Sequence, residues 1–219
     1  MSAAPTRRHA GPAAVLALIL TVALAGGAVA QSQAPPAQTG PEFAVSASVL
    51  APLAELTSSV AFTTEVSSAV GASGTLTHWF GERLGLTVQG VWAPGELNVR
   101  PSEFTGPIPP GLGDADYLAG TAALTYRVPT SGALAAVEPF FGLGAGARHL
   151  SLDPVAAPDA EDATDPVGTV LAGVTTRVWP SVAVRLEIRD LVSVYESPLD
   201  GEERLQNDAL VSVGVSLRP

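Results

Sequence analysis

Seven charged residues, Arg127, Glu138, Arg148, Arg177, Arg185, Glu187 and Arg189, are spaced so that each falls on the polar side of an extended segment. In "VRLEIRD" the charges at 185, 187 and 189 alternate with Val184, Leu186 and Ile188. A period of two is that of a β-strand, so the three charges project to one face. Such a set can do one of two things. It can pair and hydrogen-bond with itself, plugging an enclosed space, or it can line a narrow pore for ions or small solutes. A second group, His149, Ser151 and Asp153, has the residue types of acyl transfer, a hydroxyl beside a base and an acid. His149, however, shares the parity of the apolar residues of its segment, which makes it an interfacial histidine first. His78 lies at the other end of the molecule. The acidic run Asp153, Asp159, Glu161, Asp162 and Asp165 carries oxygen donors suited to a hard cation. Yet "DAEDATD" lacks the glycine and glutamate spacing of a calcium loop, so it reads as a solvated negative surface loop. No metal and no cofactor is expected.

The stretch "PFFGLGAGARHLSL" places Gly142, Gly144 and Gly146 at every second position. A dinucleotide loop needs G-x-G-x-x-G opening a helix. This spacing instead describes a strand with one nearly bare face, which would leave room for large inward Arg and Glu side chains from other strands.

The elements that would carry these residues are strands throughout. Segments 43–51, 69–80, 83–93, 116–128, 138–151, 168–179, 182–195 and 208–218 each alternate between an apolar face and a small, polar or charged one. Leu86, Val88, Leu143, Leu186, Val213 and Val215 belong to the apolar faces. The segments are about as long as strands that cross a bilayer, roughly 9–11 residues. Their connections alternate in length. Those at 81–82, 129–136 and 180–181 are short; those at 52–66, 94–114, 152–166 and 196–207 are long and rich in turn formers and acids. Short turns on one rim and long loops on the other is the layout of a transmembrane barrel. Phe43, Trp79, Phe80, Tyr126, Phe140, Phe141 and Trp179 fall at strand ends on the short-turn rim, where rings would sit at a membrane–water interface. Trp92, Tyr117 and Tyr195 supply fewer on the other rim.

Composition sets the setting. The chain of 219 residues is 47% hydrophobic and only 15% charged, and it has no cysteine, so neither disulfides nor thiolate metal sites are available. Its net charge of −10, from 11 basic and 21 acidic residues, disfavours nucleic acid as a partner. Residues 1–30 read as a signal peptide: Arg7 and Arg8, an apolar core at 12–25, and Ala28-Val29-Ala30 before Gln31. Residues 31–41, "QSQAPPAQTGP", read as a disordered linker. Residues 42–219 form one domain, all-β, an eight-stranded antiparallel up-and-down transmembrane β-barrel. A soluble periplasmic barrel holding an apolar ligand would turn its apolar faces inward. Arg148, Arg185, Glu187 and Arg189 lie opposite those faces, which favours the membrane form.

With the "AVA" cleavage site, "EPFFGLGAGA", "VRLEIRD" and the alternating "ALVSVGVSLRP", the chain resembles the small eight-stranded bacterial outer-membrane barrels of the outer-membrane protein A transmembrane-domain and outer-membrane protein X type. The resemblance covers about 42–219 and is one of pattern. It implies an outer-membrane location, a monomer, contact with outer-membrane lipid and lipopolysaccharide, and insertion by the barrel assembly machinery. It also implies a non-enzymatic, structural or surface-interaction role carried by the long loops. Such barrels usually end in an aromatic residue, whereas this chain ends Leu217-Arg218-Pro219. No peptidoglycan-binding domain follows the last strand. Related barrels that modify lipid A use a His with a Ser and an acid near the outer rim; His149, with Ser151 and Asp153, is the one candidate for that role.

Overall fold

The computed structural model describes residues 39–52, 57–58, 62–101, 113–131, 136–154, 162–196 and 203–219. The expected signal peptide and most of the expected linker lie outside these residues. Among them no helix is long and apolar enough to cross a membrane.

Among the described residues ten strands run in chain order: β1 (Gly40–Pro52), β2 (Thr57–Ser58), β3 (Phe62–Val66), β4 (Ala69–Trp79), β5 (Leu84–Pro101), β6 (Gly113–Arg127), β7 (Val137–Pro154), β8 (Ala163–Trp179), β9 (Val182–Glu196) and β10 (Glu203–Leu217). Eight of them, β1 and β4 to β10, pair antiparallel, each with its neighbour along this series, and β1 pairs with β10 to close the ring. Closure leaves the wall without an edge, so backbone donors and acceptors are satisfied within it. The short β2 and β3 extend the sheet from the far end of β5. β1 begins at Gly40, inside the stretch expected as linker, and Gly40 has φ 112°, a conformation that favours glycine. Several strands also run further into the long loops than expected. β5 reaches Pro101 and β8 starts at Ala163, so that Asp165 falls inside a strand.

Side chains alternate as the pattern dictates. Leu86, Val88, Leu143 and Val215 are exposed on the outside, and the directly paired Leu186 and Val213 are half-exposed there. The outside is thus an apolar band that suits hydrocarbon, with polar residues returning towards the long-loop rim at Asp114, Asp116 and Thr164. Phe43, Phe80, Tyr126, Phe141 and Trp179 ring its short-turn end; Tyr126 packs on Phe141 at 5.4 Å between centroids. A β-bulge between Arg177 and Trp179 sends two successive residues, Val178 and Trp179, outwards.

Two of the expected rim aromatics are not in that ring. Trp79 and Phe140 turn inward and are 3% and 4% exposed. Both carry the parity of their strands' inner faces, and inside each finds a polar partner that lipid could not supply. Tyr117 is likewise buried in the lumen, and the side chain of Tyr195 lies outside those described.

The glycines of β7 have a different cause from the one expected. A Cβ at Gly144 would meet Ala122 O at 2.1 Å, and one at Gly146 would meet Gly120 O at 2.0 Å. These glycines let the backbone of β6 come close; they do not simply make space for arginines. At Gly173 backbone and side chain share the space, since Leu186 O and the ring of Phe140 would each lie 2.4 Å from an added Cβ.

Candidate functional site in the barrel lumen

The inward residues separate into tiers along the barrel. At the short-turn end Glu42 of β1 sits beside Arg218, which follows β10. Its Oε2 accepts from Trp79 Nε1 at 3.0 Å and from Arg218 Nε at 2.8 Å. Glu138 gathers three guanidinium groups: Arg177 Nη2 at 2.8 Å, Arg218 Nη2 at 2.8 Å and Arg127 Nε at 3.5 Å. The guanidinium of Arg127 lies 3.8 Å above the Trp79 ring, a cation–π contact.

The middle tier is built by β9. Its pleat sends Arg185, Glu187 and Arg189 into the lumen, each about 2% exposed or less. Glu187 is held from both sides, by Arg185 Nη2 at 2.6 Å and Arg189 Nη2 at 3.0 Å. Arg185 also reaches Glu42 at 3.6 Å and stacks 4.0 Å from Phe140. The tier spans the lumen: Glu187 Oε1 accepts from Gln89 Nε2 of β5, and Arg189 Nη1 donates to Thr121 Oγ1 of β6. Around it hydroxyls chain along the wall, Ser73–Ser48–Ser212 and Thr77–Thr87–Thr125.

The third tier lies towards the long loops. Arg148 donates to Asp165 through Nε and Nη2, at 3.2 and 3.0 Å, and to Asp208 through Nη1, at 2.9 Å. Asp208 also accepts from Tyr117 Oη at 3.1 Å and Gln206 Nε2 at 2.7 Å. Leu50, Ala69, Val91, Ala93, Tyr117, Ala119, Val167, Leu191 and Leu210 form an apolar cluster in this half. The lumen is therefore not polar throughout, as alternation with a "small, polar or charged" face would suggest.

The seven charged residues expected from the sequence all face the lumen, but in three groups and not one: Arg127, Glu138 and Arg177; Arg185, Glu187 and Arg189; and Arg148 alone. Four partners stand outside that set of seven. Asp165 belonged to the acidic run expected to be a solvated loop; it lies in β8, 9% exposed, facing Arg148. Glu42, Asp208 and Arg218 sit at or just beyond the expected strand ends. Their parity was the available signal: each shares the inner face of its strand with Ser46, Ser212 or Ser216.

On the outside, His149 is where its parity put it. Its Nδ1 is 2.8 Å from Thr164 Oγ1, and its Nε2 is 3.9 Å from Asp162 Oδ2. Ser151 Oγ donates to Asp162 Oδ1 at 3.0 Å. The side chain of Asp153, and all of Asp159 and Glu161, lie outside those described; the acid beside Ser151 is Asp162. Among the described residues no three His, Cys, Asp or Glu side chains converge as metal ligands.

No family model matches the chain. No curated protein matches it either. Solved structures do. Neisserial surface protein A is 17% identical, with a TM-score of 0.50, over 81% of this chain and 97% of its own. The outer membrane protein OprG from Pseudomonas aeruginosa is 14% identical, with a TM-score of 0.56, over 83% and 97%. The outer membrane protein AlkL, solved in lipid bilayers, is 14% identical, with a TM-score of 0.52, over 85% and 92%. At these identities the likeness is one of fold: the chain has the fold of the small eight-stranded outer-membrane β-barrels.

Proposed function

We propose that the protein is a non-enzymatic barrel of the bacterial outer membrane, delivered by a cleaved signal peptide and inserted as a monomer among outer-membrane lipid and lipopolysaccharide by the barrel assembly machinery. Its lumen is plugged by its own Arg and Glu side chains. Its role is structural or one of surface interaction, carried by the long loops on the extracellular rim, since binding residues concentrate on loops held by a rigid scaffold. The observation that carries the closed lumen is the bridging from wall to wall. Glu187 meets Gln89, Arg148 meets Asp208 and Tyr117 meets Asp208, with Leu50, Leu191 and Leu210 packed in the same half as the last two. An eight-stranded barrel has an interior just wide enough for side chains to fill.

At His149 the bonding is not that of a Ser–His pair: the single hydroxyl proton of Ser151 goes to Asp162, while His149 engages Thr164.

Membrane fractionation with a heat-modifiability gel tests the location, and planar-bilayer conductance tests the lumen. Wild type is expected in the outer-membrane fraction and electrically silent. Steady wild-type conductance would replace the closed lumen with a narrow pore for ions or small solutes. Release of fatty acid from lipid A by wild type, lost in Ser151→Ala, would replace the non-enzymatic reading.

A further inference from the structure

At the short-turn mouth three guanidinium groups, Arg127, Arg177 and Arg218, meet two carboxylates, Glu42 and Glu138. The surplus positive charge falls on Arg127. Its Nη1 and Nη2 have no hydrogen-bond acceptor, although the side chain is only 7% exposed. The nearest acid oxygen to Nη2, Oε2 of Glu42, is 3.9 Å away and already accepts from Trp79 and Arg218. Nε leans towards Glu138 at 3.5 Å and Trp79 covers one face of the group. What remains unpartnered is the Nη1–Nη2 edge, two parallel donors held in a fixed plane and enclosed by the residues around them.

We propose that this edge binds a small oxyanion, the carboxylate or phosphate group of a solute or lipid headgroup on the periplasmic side. Two oxygens of such a group match two N–H donors of a guanidinium in a bidentate pair, stronger than neutral hydrogen bonds. A neutral acceptor would satisfy the donors without balancing the charge; an oxyanion does both. Glu138, 19% exposed at its side chain, is the competitor for the same charge and is placed at the opening. The proposal rests on the short-turn tier being the interior of a barrel in the outer membrane, and not on whether the lumen conducts. Steady conductance would remove the plug and leave this site; absence of binding would remove the site and leave the plug.

Trp79 is a built-in reporter, because it lies against Arg127 while Trp92 and Trp179 face outward. In a Trp92→Phe/Trp179→Phe background, folded in maltoside micelles, sodium phosphate and sodium acetate are titrated at constant ionic strength against sodium chloride. A saturable change in Trp79 fluorescence with the oxyanions is expected. It should vanish in Arg127→Met, weaken in Arg127→Lys, which keeps the charge but loses the fork, and tighten at least about tenfold in Glu138→Gln, which removes a nearby negative charge. Should Arg127→Met fail to fold, Arg127→Lys carries the test. Phosphatidylglycerol added to the micelles separates the sources: competition with phosphate assigns a lipid headgroup, and no competition assigns a free solute. A response no different from that of chloride, or one unchanged in both Arg127 variants, overturns the proposal.

Discussion

Glu187 on β9 and Gln89 on β5 touch across the lumen, Nε2 to Oε1 at 3.3 Å, although four strand pairings separate them around the wall in either direction. The same carboxylate holds Arg185 and Arg189. Removing it leaves two guanidinium groups in a poorly solvated space. Breaking a buried ion pair from one side costs about 3–5 kcal/mol. Glu187→Ala is therefore expected to destabilise the barrel by roughly that much in urea unfolding from vesicles. Glu187→Gln, which keeps the shape and part of the hydrogen bonding, should cost less. Equal stability of wild type and Glu187→Ala would mean that water already screens this tier.

The glycines divide by what stands over them. An added Cβ at Gly144 would lie 2.1 Å from Ala122 O and 2.6 Å from Ala123 Cα, backbone atoms that cannot turn aside. One at Gly120 would meet nothing within 4 Å. Gly144→Ala is expected to cost about 1–3 kcal/mol, as overpacking does. Gly120→Ala should fall within about 0.5 kcal/mol of wild type. Measuring both by the same unfolding assay removes the common effect of losing a glycine in the unfolded chain. A Gly144→Ala barrel as stable as Gly120→Ala would show that β6 and β7 can separate.

Parity was the legible part of this molecule. A one-residue slip would reverse every side chain, so period-two alternation assigns inside and outside for β1 and for β4 to β10 together. It placed Arg148, Arg185, Glu187 and Arg189 inside and His149 outside. What alternation does not encode is height along the barrel or position around it. Hence seven inward charges looked like one set, though the fold distributes them among three tiers. Trp79 and Phe140 were assigned to the rim because rings gather there, against their own parity, and parity prevailed. Asp165 was hidden by composition: in a run of acids it looked like loop, and only the register of β8 against β7, which pairs it directly with Arg148, shows otherwise.

The apolar band makes its own demand. Leu143 is 65% exposed on the outer face, in the middle of β7, with apolar Ala145 and Phe141 on either side. Arginine at such a depth costs about 2–4 kcal/mol in a transmembrane barrel. Leu143→Arg is expected to lose that much in folding into vesicles, and Val213→Arg a similar amount. The inward-facing Thr169 offers the contrast, since Thr169→Arg would add a charge to the lumen and not to lipid. Insertion of Leu143→Arg and Val213→Arg as efficient as wild type would mean that the band does not face hydrocarbon.

The two acids on Arg148 should not be equivalent. Asp208 is fully buried and accepts from Arg148, Tyr117 and Gln206, on three different strands. Asp165 is 9% exposed, and its two accepted bonds both come from Arg148. Neutralising Asp208 takes a counter-charge from Arg148 and weakens two further donors at once. Asp208→Asn is expected to cost about 3 kcal/mol or more. Asp165→Asn should cost about 1–2 kcal/mol, the scale of one charged hydrogen bond near the edge of the network. Because the two acids share one arginine, their effects should be non-additive. In an Arg148→Met background the Asp208 substitution should lose much of its cost, a coupling that a double-mutant cycle in urea measures directly. If Asp165→Asn proves the costlier of the two, or if the Asp208 penalty is the same with and without Arg148, the tier is not organised around Asp208.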